Sequence, residues 1–318
     1  MTPEYTITHR AYTITHRVYT IADYQMVIDF LGELSHVVTE NHNWLPGRFE
    51  YAEYLISPLF IERGLSDWKK TIHLWFDEQK LVAMVNSENP DANTYIQIMP
   101  EYQFLTEELI VWAENNLAIA DWDNVIPRIA IWAHDSDKSR QIILKERGFR
   151  LTEQEDHLQH QLILDNFAPT KLPDGYHFSS FASGLDFSSR AVVTALAFGD
   201  EVPISESIYE TVRSAPSYRL DLDIAIVDAN NKAISVATFW LDETNKLGYI
   251  EPVATRPEYS GKGFAKKLLH HGMYKLKQLG INNVYVGARA EVRPFYKSCG
   301  FIEAEMNQMW EKWYPKKL

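Results

Sequence analysis

Between residues 249 and 269 a strand pattern, a glycine loop and a helix pattern follow one another without interruption. Gly261 and Gly263 remove side chains where the chain enters the helix, so backbone N–H groups there can converge on one point. The positive end of the helix dipole adds to their pull on an anion, and a pyrophosphate suits such a cradle. Two other phosphate loops are excluded. A P-loop needs Gly, four residues, then Gly-Lys-Ser/Thr, and no such string surrounds Gly263. The dinucleotide fingerprint asks for a third glycine after Gly263, where Lys266 stands.

The elements around this loop repeat along the chain. In the first half, helical patterning over 22–38 precedes strands at 71–76 and 81–85, joined by Asp77-Glu-Gln-Lys80 as a hairpin turn. A strand at 94–99, a helix at 106–117, a strand at 125–132 and a helix at 136–147 follow, with Gly148 placed to end the last helix. A strand pair at 149–151 and 157–164 completes that half. Residues 166–175 carry two prolines and a glycine with no periodicity, which marks a linker. Beyond it come a strand, a helix at 187–198, and strands at 223–228, 233–241 and 247–254. A helix at 263–279, a strand at 283–287, a short helix at 292–298 and a strand from Phe301 end the pattern. Pro100-Glu-Tyr102 precedes the long helix of the first half as Pro257-Glu-Tyr259 does in the second, and Gly148-Phe149 answers Gly300-Phe301. The chain reads as an internal duplication of one α/β domain: 1–165, a linker at 166–175, and 176–318.

A chain of 318 residues suits two domains of roughly 150 residues each. A single cysteine, Cys299, excludes an internal disulfide and any Cys-based metal cluster. No apolar run approaches the ~20 residues needed to span a bilayer, and no signal peptide is recognisable, so a cytoplasmic protein is expected. The net charge of −12 argues against a nucleic-acid partner. The acidity sits in residues 1–165, with 13 Lys+Arg against 26 Asp+Glu; residues 166–318 have 18 against 17. A polyanionic cofactor therefore sits better in the second half. Near the N-terminus, Tyr5-Thr-Ile-Thr-His-Arg10 recurs as Tyr12-Thr-Ile-Thr-His-Arg17, an alternation suited to an extended strand. Its two histidines lack a third ligand, and no metal site is expected.

The loop resembles the pyrophosphate loop of the GNAT family, the Gcn5-related N-acetyltransferases, whose pattern Gln/Arg-x-x-Gly-x-Gly/Ala is matched by Ser260-Gly-Lys-Gly-Phe-Ala265. Glu251-Pro-Val-Ala-Thr255 looks like that family's fourth strand. Tyr296, four residues before Gly300-Phe301, looks like its later tyrosine. The resemblance implies an α/β fold of two tandem domains, each a central, mostly antiparallel sheet flanked by helices. It also implies that the fourth and fifth strands splay apart to admit the pantetheine arm of acetyl-CoA. Backbone groups of Val253, Ala254 and Thr255 would bond that arm. Amides from Gly261 to Ala265, including Phe264, would hold the pyrophosphate, with Ser260 and Lys262 beside it. The implied reaction is direct attack of a neutral primary amine, on a small molecule or peptide, at the thioester.

Such an attack needs a group to take the amine's proton and one to protonate the departing thiolate. Glu251 is the candidate base or water-orienter. Tyr296 is the candidate donor, because a phenol with a pKa near ~10 matches a thiolate of similar basicity. Cys299 suggests an acyl-cysteine intermediate only superficially: it stands just before a glycine stop with no histidine near it, as a packing thiol does. Two departures from the family pattern stand out. Ser260 replaces a long side chain, and Arg289 and Val292 occupy places where Asn and Ala are common. Arg289 is thereby a candidate contact for a cofactor phosphate or an acidic substrate group.

The first half lacks the cradle. After Tyr102 it reads Gln103-Phe-Leu-Thr-Glu-Glu-Leu-Ile110, with no glycine and with Glu107 and Glu108 at the helix start, and Leu144 matches Tyr296. It is read as a copy that kept the fold and lost the cofactor. Its acidity would suit a cationic acceptor or simply a solvated surface, and the loop at 41–48 would suit substrate contact or packing. Two further readings stay open: a non-catalytic acyl-CoA sensor or partner-binding module, and an enzyme for a carboxylated acyl group paired by Arg289 or Arg293. A monomer or a homodimer fits equally.

Overall fold

The computed structural model describes residues 12–38, 44–87, 93–120, 127–163 and 167–315. The first copy of the N-terminal duplication, Tyr5 to Arg10, lies outside them; the second supplies the first strand. The first half runs β1 (Ile14–Val18), α1 (Tyr24–Val37), α2 (Pro46–Tyr51), a π turn (Ala52–Ile56), α3 (Ser57–Glu62), β2 (His73–Asp77), β3 (Lys80–Ser87) and β4 (Asn93–Ile98). It continues with α4 (Thr106–Asn116), the two-residue β5 (Ile119–Ala120), β6 (Pro127–His134), α5 (Lys138–Glu146) and β7 (Arg150–Leu162). The second half runs β8 (Tyr176–Ser180), α6 (Phe187–Phe198), α7 (Glu206–Arg213), β9 (Asp223–Asp228), β10 (Ala233–Asp242) and β11 (Leu247–Thr255). Then come α8 (Phe264–Gln278), β12 (Asn283–Arg289), α9 (Arg293–Ser298) and β13 (Ile302–Trp313).

The thirteen strands of the described residues join one mixed sheet, in the order β1-β2-β3-β4-β6-β13-β7-β12-β11-β10-β9-β8, with β5 paired to β6. The middle of this order is an exchange. β13, the last strand of the second half, lies antiparallel to β6 of the first (Asn307↔His134 to Trp313↔Arg128). β7, the last strand of the first half, lies antiparallel to β12 of the second along its whole length (Asn283↔Leu162 to Arg289↔Asp156). Each half thus completes the other's sheet, and the halves share one hydrogen-bonded ladder.

Three local readings are corrected. The expected strand pair at 149–151 and 157–164 is the single strand β7. Its polar middle, Thr152 to Asp156, reads as a turn but is held by pairing with β13 (Asp156↔Asn307, Glu155↔Gln308). That partner is distant in sequence, and no local period reveals it. The segment 41–48 reads as a loop and the sequence pattern assigns no element to 49–62, yet Pro46 to Glu62 is one helical run. Pro46 opens the first turn of α2, where a missing N–H costs nothing, and Pro58 follows the π turn at the start of α3. α7 was also unforeseen; Ser205 caps it by accepting from the Ile208 amide at 3.4 Å.

α8 buries Leu268, Leu269, Met273 and Leu276 against Phe239, Ile250 and Val284 of the sheet. Gly272 lets it come close: a Cβ there would stand 2.0 Å from the Phe239 ring. On the opposite face a cluster containing Tyr209, Tyr218, Trp240 and Tyr249 packs with Leu45 and Leu55 of the first half. α2 reaches across to that face through Gly47, where a Cβ would lie 2.8 Å from Tyr249 Cβ and 2.9 Å from Trp240 Cβ. Of the loop read as a possible substrate contact, residues 41–43 lie outside the described set. Trp44 is core, stacked on Trp68 at 5.5 Å between centroids.

Candidate active site

β11 and β12 are parallel neighbours only from Leu247↔Asn283 to Tyr249↔Tyr285. Beyond that apex β11 continues to Thr255 bonded to β10 alone, and β12 continues to Arg289 bonded to β7 alone. The facing edges of the two strands diverge, and across the gap, from Ile250 to Thr255, β11 has no described strand paired with it on its β12 side. A bulge accompanies the divergence. Ala237 pairs with Val253 and Phe239 with Ile250, so Thr238 faces the two residues Glu251 and Pro252, which a cis peptide joins. Trp240 Nε1 donates to the Glu251 carbonyl at 2.7 Å and holds the bulge from β10. Sequence patterning did not single out Trp240, which reads there as an ordinary strand aromatic.

At the far end of the gap Pro257–Tyr259 forms a 3₁₀ turn, and Gly261 (φ 73°) and Gly263 (φ 80°) both take the left-handed conformation. The Gly263 turn caps the fifteen-residue α8. Among the described residues, the amides of Gly261, Gly263, Phe264 and Ala265 have no backbone acceptor. Those of Ser260 and Lys262 are spent on Pro257 and Tyr259. A Cβ added at Gly261 or Gly263 meets nothing within 4 Å, so both glycines serve conformation, and the cradle opens outward. Ser260 and Lys262 are exposed, the Lys262 ammonium lying 5.0 Å above the Tyr259 ring. Open amides at the start of a long helix fit a pyrophosphate.

Val253 and Thr255 are half-buried and Ala254 is buried. The Thr255 hydroxyl lies 2.7 Å from that of Ser235, which also bonds the Ala254 carbonyl at 3.1 Å. Tyr296, on α9, is buried, its ring against Phe295 and Phe301 at 5.1 and 5.7 Å. Burial, then the charge of Glu251, push its phenol above the ordinary tyrosine range. Glu251 thus lies close enough to Tyr296 for its charge to act on the phenol, which is protonated at neutral pH. Cys299 is half-buried against the same core, and burial raises its thiol, as expected of a packing residue. Arg289 is exposed at the end of β12. Arg293 is turned to Glu303, not to the gap.

The first half has the same divergence and fills it. β4 and β6 pair only at Asn93↔Ala130 and Thr94↔Ile131. Beyond, the Tyr95 and Trp132 rings stack at 6.3 Å, and the buried Arg140 donates to the Ile96 carbonyl at 3.2 Å. Pro100–Leu105 runs as a 3₁₀ turn directly into α4, with Glu107 and Glu108 in its first turn. Leu144 is fully buried in the core.

The model of the acetyltransferase (GNAT) family matches residues 199–301, the stretch that holds the bulge, the cradle and Tyr296. The chain carries a GNAT domain. A curated relative from Pyropia yezoensis, the uncharacterized N-acetyltransferase ycf52, is 30% identical over 92 residues, 28% of this chain and 51% of that protein. The chain thus spans about half the length of that relative. A GCN5-related N-acetyltransferase from Sphaerobacter thermophilus shares the fold with a TM-score of 0.64 at 16% identity, over 94% of this chain and 95% of its own. A tandem GNAT protein from the clavulanic acid biosynthesis pathway does so with a TM-score of 0.62 at 12% identity, over 96% and 100%. The GNAT fold accordingly extends beyond the matched stretch to both halves. No described helix is long and apolar enough to cross a membrane.

Proposed function

We propose that residues 176–318 form an acetyl-CoA-dependent N-acetyltransferase acting on a primary amine. Residues 1–165 form a cofactor-free copy, joined through 166–175, whose strand β7 completes the catalytic sheet. The observation that carries this reading is the paired opening: strands that part after Tyr249 and Tyr285, ending at a helix start with four open amides.

Acetyl-CoA supplies an activated thioester. The amides of Gly261, Gly263, Phe264 and Ala265 hold its pyrophosphate, with Ser260, Lys262 and Arg289 at the rim. The open edge of Val253, Ala254 and Thr255 bonds the pantetheine arm. Glu251, through water, takes a proton from the acceptor so that the neutral amine attacks the carbonyl carbon. The new C–N bond forms, the C–S bond breaks, and Tyr296 gives its proton to the leaving sulfur before recovering one from solvent. The phenol is protonated at neutral pH and so available as the donor, while burial, by raising it above the ordinary tyrosine range, makes it a weaker acid than a free tyrosine. Arg293, bound to Glu303, gives no support to pairing with a carboxylated acyl group. The site lies on a chain of charge −12, which favours a small or peptidic amine over nucleic acid.

Calorimetric titration of acetyl-CoA tests this. One site per chain is expected, lost by about 100-fold or more in Gly263→Glu, because a side chain at positive φ and a carboxylate both oppose the anion. Turnover is then sought over a panel of amines. Unchanged binding in the variant would mean that the cofactor sits elsewhere. Binding with no turnover of any amine would make the protein an acyl-CoA sensor.

A further inference from the structure

Trp240 holds the bulge in a way that the strand ladder does not. β10 pairs with β11 at Phe239↔Ile250 and again at Ala237↔Val253, and the ladder skips Glu251 and Pro252 between them. Pro252 has no amide hydrogen to offer a neighbouring strand. The carbonyl of Glu251 is met instead by a side chain, with Trp240 Nε1 donating to it at 2.7 Å. One indole on β10 thus fixes the peptide that follows the proposed base.

The indole is fixed in turn. Trp240 is 1% exposed, and its ring meets two tyrosine rings, Tyr218 of the second half at 5.9 Å and Tyr51 of α2 at 6.2 Å between centroids. Gly47 brings the α2 backbone against the same residue. One wall of the indole's slot therefore belongs to the first half. An indole has a single donor and no acceptor, and a displaced ring would leave that buried N–H unpaired. Packing from α2 and the bond to the bulge hold each other in place.

We propose that Trp240 is the positioning residue for Glu251, and that α2 of the first half acts through it on the chemistry of the second. This rests on the acetyltransfer reading above, in which Glu251 takes the amine's proton. The first half then does more than complete a sheet: it sets where the base stands when the acceptor arrives. Trp240 packs on the sheet face away from α8, whose first turn carries the cradle, so cofactor binding does not depend on its N–H.

The test uses the full chain and an amine taken from the panel above. Trp240→Phe keeps a large ring and loses the N–H. Trp240→His loses more buried surface but keeps an N–H, because its Nε2 falls at the place of the indole nitrogen. At about pH 8 that imidazole is neutral. The expected fall in kcat is about 30-fold for Trp240→Phe and about fivefold for Trp240→His, with KM for acetyl-CoA within about threefold in both. A residue that only packs would give the reverse order, since the smaller ring leaves the larger cavity. Equal losses, the reverse order, or a KM that rises in proportion would overturn the proposal. A second measurement needs no activity: deuterium exchange of the indole N–H, followed by NMR on protein labelled with ¹⁵N-tryptophan. The Trp240 signal, identified by its loss in Trp240→Phe, should exchange at least about tenfold more slowly than that of Trp313, which is 46% exposed. Tyr51→Ala should speed it by about tenfold. Exchange as fast as that of Trp313 would overturn the bond to the bulge, and an unaltered rate in Tyr51→Ala would overturn the part given to α2. Should the wild type turn over no amine, the acetyltransfer reading falls and the catalytic role of Trp240 with it, while the exchange rates still decide whether α2 holds the indole on the bulge.

Discussion

Arg140 Nη1 donates to the Ile96 carbonyl at 3.2 Å, across the opening between β4 and β6. By the Gly-Phe alignment of the halves, Val292 stands at the matching place in the second half, half-exposed at the foot of α9. The guanidinium takes the backbone partner that a cofactor arm would need. Its Nε also lies 3.1 Å from Asp137 Oδ2, in an ion pair not aligned as a hydrogen bond. Arg140→Leu should therefore destabilise the fold by about 3–5 kcal/mol, because it strands a nearly buried aspartate. Urea unfolding measures this. A loss below about 1 kcal/mol would show the pair to be solvated in solution. The variant should still bind a single acetyl-CoA, since Glu107 and Glu108 remain at the start of α4.

Gly47 is the point at which α2 of the first half meets the second. Its ideal Cβ would sit under 3 Å from the Cβ atoms of both Tyr249 and Trp240, which no rotamer change can move aside. Gly47→Ala should cost about 1–3 kcal/mol by forcing α2 off the sheet. It should also lower kcat, since Trp240 holds the Glu251 carbonyl. A thermal melt reads the first effect. An unchanged midpoint would mean that α2 does not rest on β10 and β11 in solution.

Glu50 joins the halves from within. It is 3% exposed and accepts from Tyr24 Oη and from the Ser217 amide and hydroxyl. Burial nevertheless raises its carboxyl above the ordinary glutamate value. A raised folded-state pKa means that the native state binds the proton more tightly than the unfolded chain. The group's stabilising contribution is thus full below the ordinary value near ~4.3 and declines as pH rises through the folded-state pKa. Glu50→Gln should flatten this pH dependence in unfolding curves. Glu50→Ala should cost about 1–3 kcal/mol at every pH, by leaving three donors unmatched. A Glu50→Gln profile that overlays the wild type would remove Glu50 as the source.

Tyr296→Phe removes the proposed proton and little else, because the ring keeps its contacts with Phe295 and Phe301. The expected outcome is a kcat lower by about 100-fold with acetyl-CoA affinity unchanged. In the wild type, an acid whose pKa is raised by burial stays protonated through the ordinary tyrosine range. The rate should therefore hold past pH ~10 instead of falling there. A descending limb below that value, absent from the variant, would place the phenol in a wetter setting than its burial implies.

What could be read locally was legible in the chain itself. The cradle is a contiguous string, Ser260 to Ala265, and its glycines announce their left-handed turns because few other residues adopt them. The helix periods of α1, α4, α5, α6 and α8 and the hairpin at Asp77–Lys80 are short-range and could be placed to within a few residues. Tyr296 stood at a fixed distance from a glycine stop. The likeness of the two halves could also be read, and so could the absence of glycines and the presence of Glu107 and Glu108 at the matching place in the first.

The rest depended on which strands meet. The exchange of β7 and β13 rests on backbone ladders between residues roughly 140 to 185 positions apart, which carry no compositional mark. That exchange sets His157 beside Arg293 and turns a polar stretch at 152–156 into strand, while the packing of α2 on β10 and β11 brings Glu50 to Ser217. The parting of β11 from β12 was implied by resemblance, but its apex at Tyr249 and Tyr285 is set by register, and the bulge by one extra residue opposite Thr238. Local propensity determined the pieces and the anion cradle. Long-range pairing decided which half completes which site, because hydrogen-bonded register is a property of two chain segments, and neither one specifies it alone.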